Sequence, residues 1–230
     1  MNPKKSSVFE KIQHYIGFFI ILSLIVALVL ELINQNWEFF FVTVLALGLI
    51  FATYYFQKKY KIRLPARVQL AIILFIYAGV FLGEVRNYFV KYWWWDSLLH
   101  LFSGFAIGLI AFGIMYVLYK TEKVKTSLVF IAVIIFSLSM TIGVVWEMFE
   151  FGVDHYMGAN MQRARDLCPE IDTCDTRLGV VDTMKDFILN SIGALFASII
   201  GYIYLRTGGH FLLNKIMDKF KKQNPRLFFK

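Results

Sequence analysis

The chain has 230 residues, of which 58% are hydrophobic and 17% are charged. Soluble globular domains are roughly 45–50% apolar and about 25% charged, so this composition argues against a cytosolic enzyme. The 24 Phe, 12 Tyr and 5 Trp residues exclude a disordered chain. With a mean hydropathy of +0.60, the net charge of +8 favours an anionic membrane surface as the partner, and we expect no binding to nucleic acid.

Six stretches of the chain are long and apolar enough to cross a bilayer, which takes roughly 20 residues per helix. In chain order they cover residues 15–34, 38–56, 67–84, 97–119, 126–152 and 182–205. We interpret the first stretch as a retained helix, because it lacks a small-residue cleavage site and five more spans follow it. The sequence therefore predicts an all-α polytopic membrane protein with six transmembrane helices, in which residues 1–230 form a single membrane domain.

The charged residues are distributed unevenly between the two sides that alternate spans define. The side that holds both termini carries 18 of the 24 basic residues, whereas 13 of the 16 acids and all five Trp residues fall on the other side or near it. Since basic residues are retained on the cytoplasmic side, both termini are predicted to be cytoplasmic and the protein to lie in the cytoplasmic (inner) membrane. Residues 206–230 are predicted to form a basic amphipathic cytoplasmic tail, which either lies on anionic lipid or is simply solvated.

The longest irregular segment, at about 155–181, lies between the fifth and sixth spans on the predicted outer side. Loops of this length are more often functional or mobile than simple connections. Arg163 and Arg165 could hold a phosphate group, or they are solvated. Cys168 and Cys174 could form a disulfide in an oxidising compartment, and two free thiols are the alternative.

Ionisable side chains inside the predicted spans are the most informative residues, because such groups usually face a bundle interior or a watery cavity. They lie three or four residues apart, so within each helix they share one face. The ionisable set comprises Asp96 and His100 at the start of the fourth span, Glu147 and Glu150 in the fifth, and Asp182 and Asp186 in the sixth, where the polar Asn190 continues the four-residue spacing. Glu84 and Arg86 lie at the same end of the third span. The predicted topology places all of them at the outer end of the bundle.

Carboxylates that converge at one depth repel each other unless a cation or shared protons offset the charge. Carboxylates with one or two His suit Mg²⁺, Mn²⁺, Ca²⁺ or Zn²⁺, and the ligand types do not distinguish among these metals. Simpler interpretations also exist: Asp96 and Asp182 as helix N-caps, Glu150 as a solvated acid, and His100 as a hydrogen-bonded core residue. Glu147 and Asp186 are the hardest to explain in this way, because each lies a turn inside a span.

Three motifs of the chain resemble those of the YjdF-like family of inner-membrane proteins. The resemblance rests on Asp96…His100…Gly104, on Glu147…Glu150 and on Asp182-Thr183…Asp186…Gly193-Ala194. It covers roughly residues 80–200, and Gly83-Glu84 resembles a further element before the fourth span. A weaker similarity exists to the VanZ-like family. Neither resemblance implies a substrate.

Three functions are consistent with these residues. The first is a metal-dependent enzyme that acts on a lipid or envelope substrate from the outer side. Its catalytic residues would be His100, Asp96, Glu147 and Asp186, and its metal ligands Asp96, His100, Glu147, Glu150, Asp182 and Asp186. The second is a cation- or proton-coupled carrier, because intramembrane carboxylates mark ion pathways. The third is a non-catalytic envelope factor in which the polar residues only hold helices together.

Overall fold

A computed structural model describes residues 8–158, 160–163, 178–210 and 212–228 of the chain. This part is helical and contains no strand. The helices are α1 (Val8–Ile33), α2 (Trp37–Lys59), α3 (Ala66–Ile76), which continues as a π-helical segment (Tyr77–Val85), α4 (Tyr88–Lys91), α5 (Trp95–Lys120), α6 (Leu128–Met157), α7 (Leu178–Arg206) and α8 (Asn214–Gln223), followed by a 3₁₀ turn (Pro225–Leu227).

Within the described residues, six helical segments are long and apolar enough to cross a membrane, which confirms the predicted all-α fold with six transmembrane helices. A bilayer interior offers no water to the backbone, so each apolar run must pair its N–H and C=O groups within its own helix. The third segment, Ala66–Val85, joins α3 to the π-helical turns. The cytoplasmic position of the termini stays a prediction.

The chain divides into two compact units. The first comprises Met1–Trp95 and Ile216–Arg226, and the second comprises Asp96–Lys215 and Leu227–Lys230. In the first unit, α1, α2 and the third segment pack around a core that includes Ile20, Leu24 and Ile50. That the whole chain is a single membrane domain stays a prediction.

The helix α8, within the predicted tail 206–230, is fixed to the connection between α2 and α3 by its flanking residues. The Asn224 side chain is 1% exposed. Its Oδ1 accepts a hydrogen bond from the Arg63 N–H at 2.7 Å, and its Nδ2 donates to the carbonyls of Arg63 and Phe220, each at 2.8 Å. The Arg226 guanidinium donates to the carbonyls of Tyr60 and Lys61, which directly follow α2. Residues Ile216–Arg226, which belong to the first unit, are therefore held to the α2–α3 connection of that unit by hydrogen bonds to its backbone.

We expect Asn224→Ala to lower the thermal stability of the purified protein. The substitution removes the three hydrogen bonds of the buried Asn224 side chain, and a typical hydrogen bond contributes about 0.5–1.5 kcal/mol. Lys222→Ala is the matched control, since Lys222 lies on α8 with an exposed side chain. Differential scanning fluorimetry in detergent should give a lower melting temperature for Asn224→Ala alone. Equal melting temperatures for the two variants would show that this contact does not stabilise the fold.

In the second unit, α5, α6 and α7 approach closely where one helix presents glycine. A Cβ at Gly104 would lie 2.2 Å from the Asn190 carbonyl oxygen, and a Cβ at Gly193 would lie 2.1 Å from the Leu101 carbonyl oxygen. On α6, a Cβ at Gly143 would lie 1.7 Å from the Asn190 Nδ2. These backbones can approach only because the residues lack side chains, as is common between membrane helices.

Serine hydroxyls also connect these helices. Ser139 on α6 donates to the Gly104 carbonyl at 2.7 Å, and Ser198 on α7 donates to the Ala132 carbonyl at 2.6 Å. Such interhelical hydrogen bonds contribute about 0.6 kcal/mol each on average in membrane proteins. The close approach fixes the register of the three helices, and this register brings the acidic residues of α5, α6 and α7 together.

Candidate metal centre

The candidate site is a polar cluster on α5, α6 and α7. Its members are Asp96, His100, Glu147, Glu150, Asp182 and Asp186, and this set is called the polar cluster below. The four acids on α6 and α7 are all buried, from 8% exposed at Asp182 to 1% at Asp186. The members share one face of each helix because they lie three or four residues apart. The glycine contacts bring the three helices close together, so these faces meet.

His100 lies between carboxylates of all three helices. Its Nε2 is 3.6 Å from the Asp96 Oδ1 and 3.8 Å from the Asp186 Oδ2, and its Nδ1 is 3.8 Å from the Glu147 Oε1. These separations exceed hydrogen-bond length. They suit two ligand atoms that share one ion, since metal–ligand distances are about 2.0–2.2 Å for zinc with N and O ligands.

Two groups within the polar cluster have the arrangement of a metal site. One consists of Asp96, His100 and Asp186, and the other of His100, Glu147 and Glu150. In each group, one ligand atom per residue lies within 4.8 Å of the others. Both groups contain His100. The ring nitrogen that carries no proton can bind a metal, so the position of the proton determines which of the two groups His100 can join.

Two carboxylate oxygens of the polar cluster are buried without a hydrogen-bond partner among the described residues. They are the Glu147 Oε1 and the Asp186 Oδ1. A buried acceptor without a donor costs about 1–3 kcal/mol, and the cost is greater for a charged group. Nearby like charges add repulsion. A cation held by either group would satisfy the unpaired oxygen of that group and offset the charge of the neighbouring acids, so the donor set and these unpaired atoms fit a bound divalent metal.

Glu150 is oriented by a neighbour on its own helix. The Trp146 indole N–H donates to the Glu150 Oε1 at 2.8 Å, one turn away on α6. The Glu150 side chain is 6% exposed, so the alternative that it is a solvated acid is wrong. In the sequence, Trp146 was counted only among the five Trp residues of the predicted outer side, although its four-residue spacing from Glu150 could have indicated this bond.

The N-cap interpretation is wrong for Asp182. The residue lies inside α7, which starts earlier than the predicted span and includes Leu178. Asp96 lies within the first turn of α5. Apolar residues extend the helical pattern beyond the predicted boundaries on both elements, so neither carboxylate marks the helix end that the sequence indicated.

Asn190 lies one turn further along α7 from Asp186 and is 1% exposed. Its side chain fills the space that Gly104 and Gly143 leave open. The Ser103 hydroxyl donates to the Asn190 Oδ1 at 3.4 Å. Asn190 therefore packs where the three helices meet, next to the turn that carries Asp186.

The start of the loop after α6 is fixed by Asp154. Gly158 ends α6 in the left-handed conformation, with a φ of 70°. The Asp154 carboxylate then accepts hydrogen bonds from the N–H groups of Met161 and Gln162, at 2.6 and 2.9 Å. The helix extends past the predicted end at residue 152, so Asp154 is a helical residue that binds the described start of the loop.

Two polar residues beside the polar cluster, Gln162 and Thr183, had no role assigned from the sequence. The Gln162 Nε2 donates to the Thr183 hydroxyl at 2.9 Å, and both residues line a cavity with Glu147. Thr183 directly follows Asp182, so the α7 motif already contained it. Nothing in the sequence indicated Gln162, because its position depends on the path of the loop.

The remaining candidate residues are placed as follows. Glu84 ends the π-helical segment with Val85, Arg86 follows it, and both belong to the first unit. Arg163 lies in the described start of the loop with a φ of 51°. Arg165, Cys168 and Cys174 lie outside the described residues. A functional role for Glu84, Arg86, Asn190, Arg163 and Arg165 stays a prediction.

Six membrane-length helices and a buried group of His, Asp and Glu side chains define a polytopic membrane protein with residues that could hold a metal. The chain belongs to the family described as "Predicted membrane protein (DUF2238)", whose model matches residues 16–207. The match is compatible with the resemblance to the YjdF-like family, which stays a prediction.

A relative from Thermotoga maritima, described as an uncharacterized protein, is 25% identical over 161 residues. The aligned region covers 70% of this chain and 74% of the relative. No solved structure matches the chain. These similarities establish the family and name no reaction.

Proposed function

We propose that this protein is a metal-dependent enzyme of the cytoplasmic membrane that acts on a lipid or envelope substrate from the outer side. The observation that carries the proposal is the pair of buried, unpaired oxygens Glu147 Oε1 and Asp186 Oδ1, which belong to carboxylates that each lie 3.8 Å from a ring nitrogen of His100. A cluster that only held helices together would satisfy such oxygens with donors from the protein. The outer side follows from the predicted sorting of basic residues.

The ligand set depends on which nitrogen of His100 carries the proton. A neutral imidazole offers one lone pair and one N–H. If Nε2 is the ligand, Asp96 and Asp186 complete the set and the Nδ1–H faces Glu147. If Nδ1 is the ligand, Glu147 and Glu150 complete it and the Nε2–H faces Asp96 and Asp186. Either arrangement gives the histidine the carboxylate partner that orients metal-bound imidazoles.

A divalent cation held in this cluster would supply Lewis-acid activation of a carbonyl or phosphoryl oxygen. Because His100 serves one group at a time, at least one buried carboxylate remains outside the ligand set. That carboxylate, Glu147 or Asp186, would accept a proton from the attacking group. Asp182 would add negative charge near the ligands, and Arg163 and Arg165 would hold a substrate phosphate.

The proposal is tested by lipid conversion in a defined bilayer. The purified chain is reconstituted in nanodiscs made from a total polar lipid extract of a bacterium, with Zn²⁺, Mg²⁺, Mn²⁺ or Ca²⁺, or with EDTA. Mass spectrometry should detect conversion of a lipid with one of the metals. EDTA, His100→Gln or Asp186→Asn should abolish it, whereas Glu31→Gln on α1 should not.

The carrier and the envelope factor predict different outcomes. Cation flux through proteoliposomes without any lipid conversion would contradict the enzyme and favour the carrier. If neither conversion nor flux occurs with any metal, and the variants only lower stability, the polar cluster is structural and the proposed function is wrong.

A further inference from the structure

A groove between α6 and α7 opens next to the polar cluster. Its volume is about 440 Å³, within the range of roughly 300–1,000 Å³ typical of small-molecule sites. The apolar lining consists mainly of Val144, Met148, Phe151, Val180 and Phe187, and these residues define the α6–α7 groove. All of them lie in segments long and apolar enough to span a membrane.

The walls of the α6–α7 groove are exposed at the protein surface. Met148 is 68% exposed, Val180 62% and Phe151 57%. At the depth of membrane-spanning segments, the medium that contacts such side chains is hydrocarbon. The groove is therefore open to the lipid, and lipid chains are the molecules that surround it.

One residue belongs to both the α6–α7 groove and the polar cluster. Glu147 lines the groove, is 5% exposed, and has its unpaired Oε1 3.8 Å from the His100 Nδ1. The other polar lining residues, Gln162 and Thr183, are hydrogen-bonded to each other at 2.9 Å. The apolar groove thus leads to a buried carboxylate with one unpaired oxygen, which a lipid head group or its bound cation could contact.

We propose that the α6–α7 groove binds the hydrocarbon chain of a membrane lipid whose polar head group reaches Glu147 and the polar cluster. The proposal rests on the proposed function, since it gives the substrate of that site its chemical class. An amphiphile fits because the groove is apolar along its walls and polar only at Gln162, Thr183 and Glu147. A water-soluble substrate would make no favourable apolar contact with the five side chains that line the groove.

The test uses a phosphatidylglycerol analogue that carries a diazirine on its acyl chain. Nanodiscs that contain the purified chain and this probe are irradiated, and the adducts are located by mass spectrometry. Phe151 in the groove and Phe19 on α1, which is 69% exposed, provide a comparison of two exposed phenylalanines in one sample. We expect several-fold more adducts at Met148 and Phe151 than at Phe19.

Val180→Trp fills the groove, and Val181→Trp is its matched control. The two valines are adjacent on α7 and similarly exposed, at 62% and 57%, but Val180 alone lines the groove. Val180→Trp should reduce the groove adducts to the level at Phe19, and Val181→Trp should leave them unchanged. Val144→Trp narrows the groove from α6 and should repeat the result if Val180→Trp does not fold.

The outcomes separate this inference from the proposed function. Equal labelling of Phe151 and Phe19 in the unsubstituted protein, or groove adducts that persist in both groove-filling variants, would overturn the lipid-chain site. Loss of groove adducts in Val180→Trp without any metal-dependent lipid conversion by the unsubstituted protein would retain the lipid site and refute the enzyme. Metal-dependent conversion that continues in Val180→Trp would retain the enzyme and refute the groove as its substrate site.

Discussion

Asp186→Asn should raise the melting temperature of the metal-free protein and lower that of the metal-loaded protein. The reversal follows from the position of Asp186, which is almost fully buried and has an unpaired Oδ1. Its ligand atom lies within 4.8 Å of those of Asp96 and His100. Without a cation, asparagine removes a carboxyl group that can ionise only against its burial and the repulsion of neighbouring acids. With a cation, asparagine removes a ligand.

The expected magnitudes are measurable by thermal unfolding. Two like charges 4 Å apart repel by about 4 kcal/mol at an effective dielectric constant near 20, so relief of part of this repulsion should stabilise the metal-free variant by about 1–2 kcal/mol. A ligand at 100 times its Kd stabilises the native state by about 2.7 kcal/mol. The unsubstituted protein should gain that increment on metal addition, and Asp186→Asn should lose most of it.

The control for this prediction is Glu31→Gln, which neutralises an acid on α1 in the first unit. Its melting temperature should respond to EDTA and metal as that of the unsubstituted protein does. If Asp186→Asn melts lower than the unsubstituted protein in EDTA and metal shifts both proteins equally, then Asp186 stabilises the fold through contacts that involve no cation.

Gly104→Ala should destabilise the protein strongly, whereas Gly113→Ala on the same helix should not. A Cβ at Gly104 would lie 2.2 Å from the carbonyl oxygen of Asn190 and 2.5 Å from the Oδ1 of the same residue. A Cβ at Gly113 would meet nothing within 4 Å. Overpacking typically costs about 1–3 kcal/mol. Alanine in place of an unconstrained helical glycine gains up to about 1 kcal/mol.

The two glycine variants are compared by thermal unfolding in the same detergent. We expect a lower melting temperature for Gly104→Ala and an unchanged or higher one for Gly113→Ala. Because the added methyl group separates α5 from α7, Gly104→Ala should also weaken metal binding through the displacement of His100 from Asp186. Equal melting temperatures in the two variants would contradict the close approach of α5 and α7.

The spans and the composition of the polar cluster could be predicted from the sequence because both depend on local rules. A membrane helix has a minimum length, and residues four apart share a face, so Asp96 with His100 and Asp182 with Asp186 had to project together. That α5, α6 and α7 pack against one another could not be derived in the same way. It depends on Gly104, Gly143 and Gly193, whose partners lie on other helices.

The features that the sequence did not indicate depend on tertiary packing. The hydrogen bond between the Asn224 side chain and the Arg63 backbone joins positions 161 residues apart. Gln162 reaches Thr183 only because Asp154 binds the turn at the start of the loop. The α6–α7 groove arises from the spacing of two helices, and its residues look in the sequence like ordinary lipid-facing positions.

The most direct test of the central claim is to locate a metal in the purified protein. The chain is loaded with Mn²⁺ or Zn²⁺, its metal content is measured by inductively coupled plasma mass spectrometry, and the ion is located by anomalous diffraction. The account predicts an anomalous peak at coordination distance, about 2.0–2.2 Å for zinc, from a ring nitrogen of His100 and from carboxylates of the polar cluster. It also predicts that His100→Gln and Asp186→Asn remove the metal and that Glu31→Gln retains it. Protein without bound metal, or a peak remote from His100, would contradict the account.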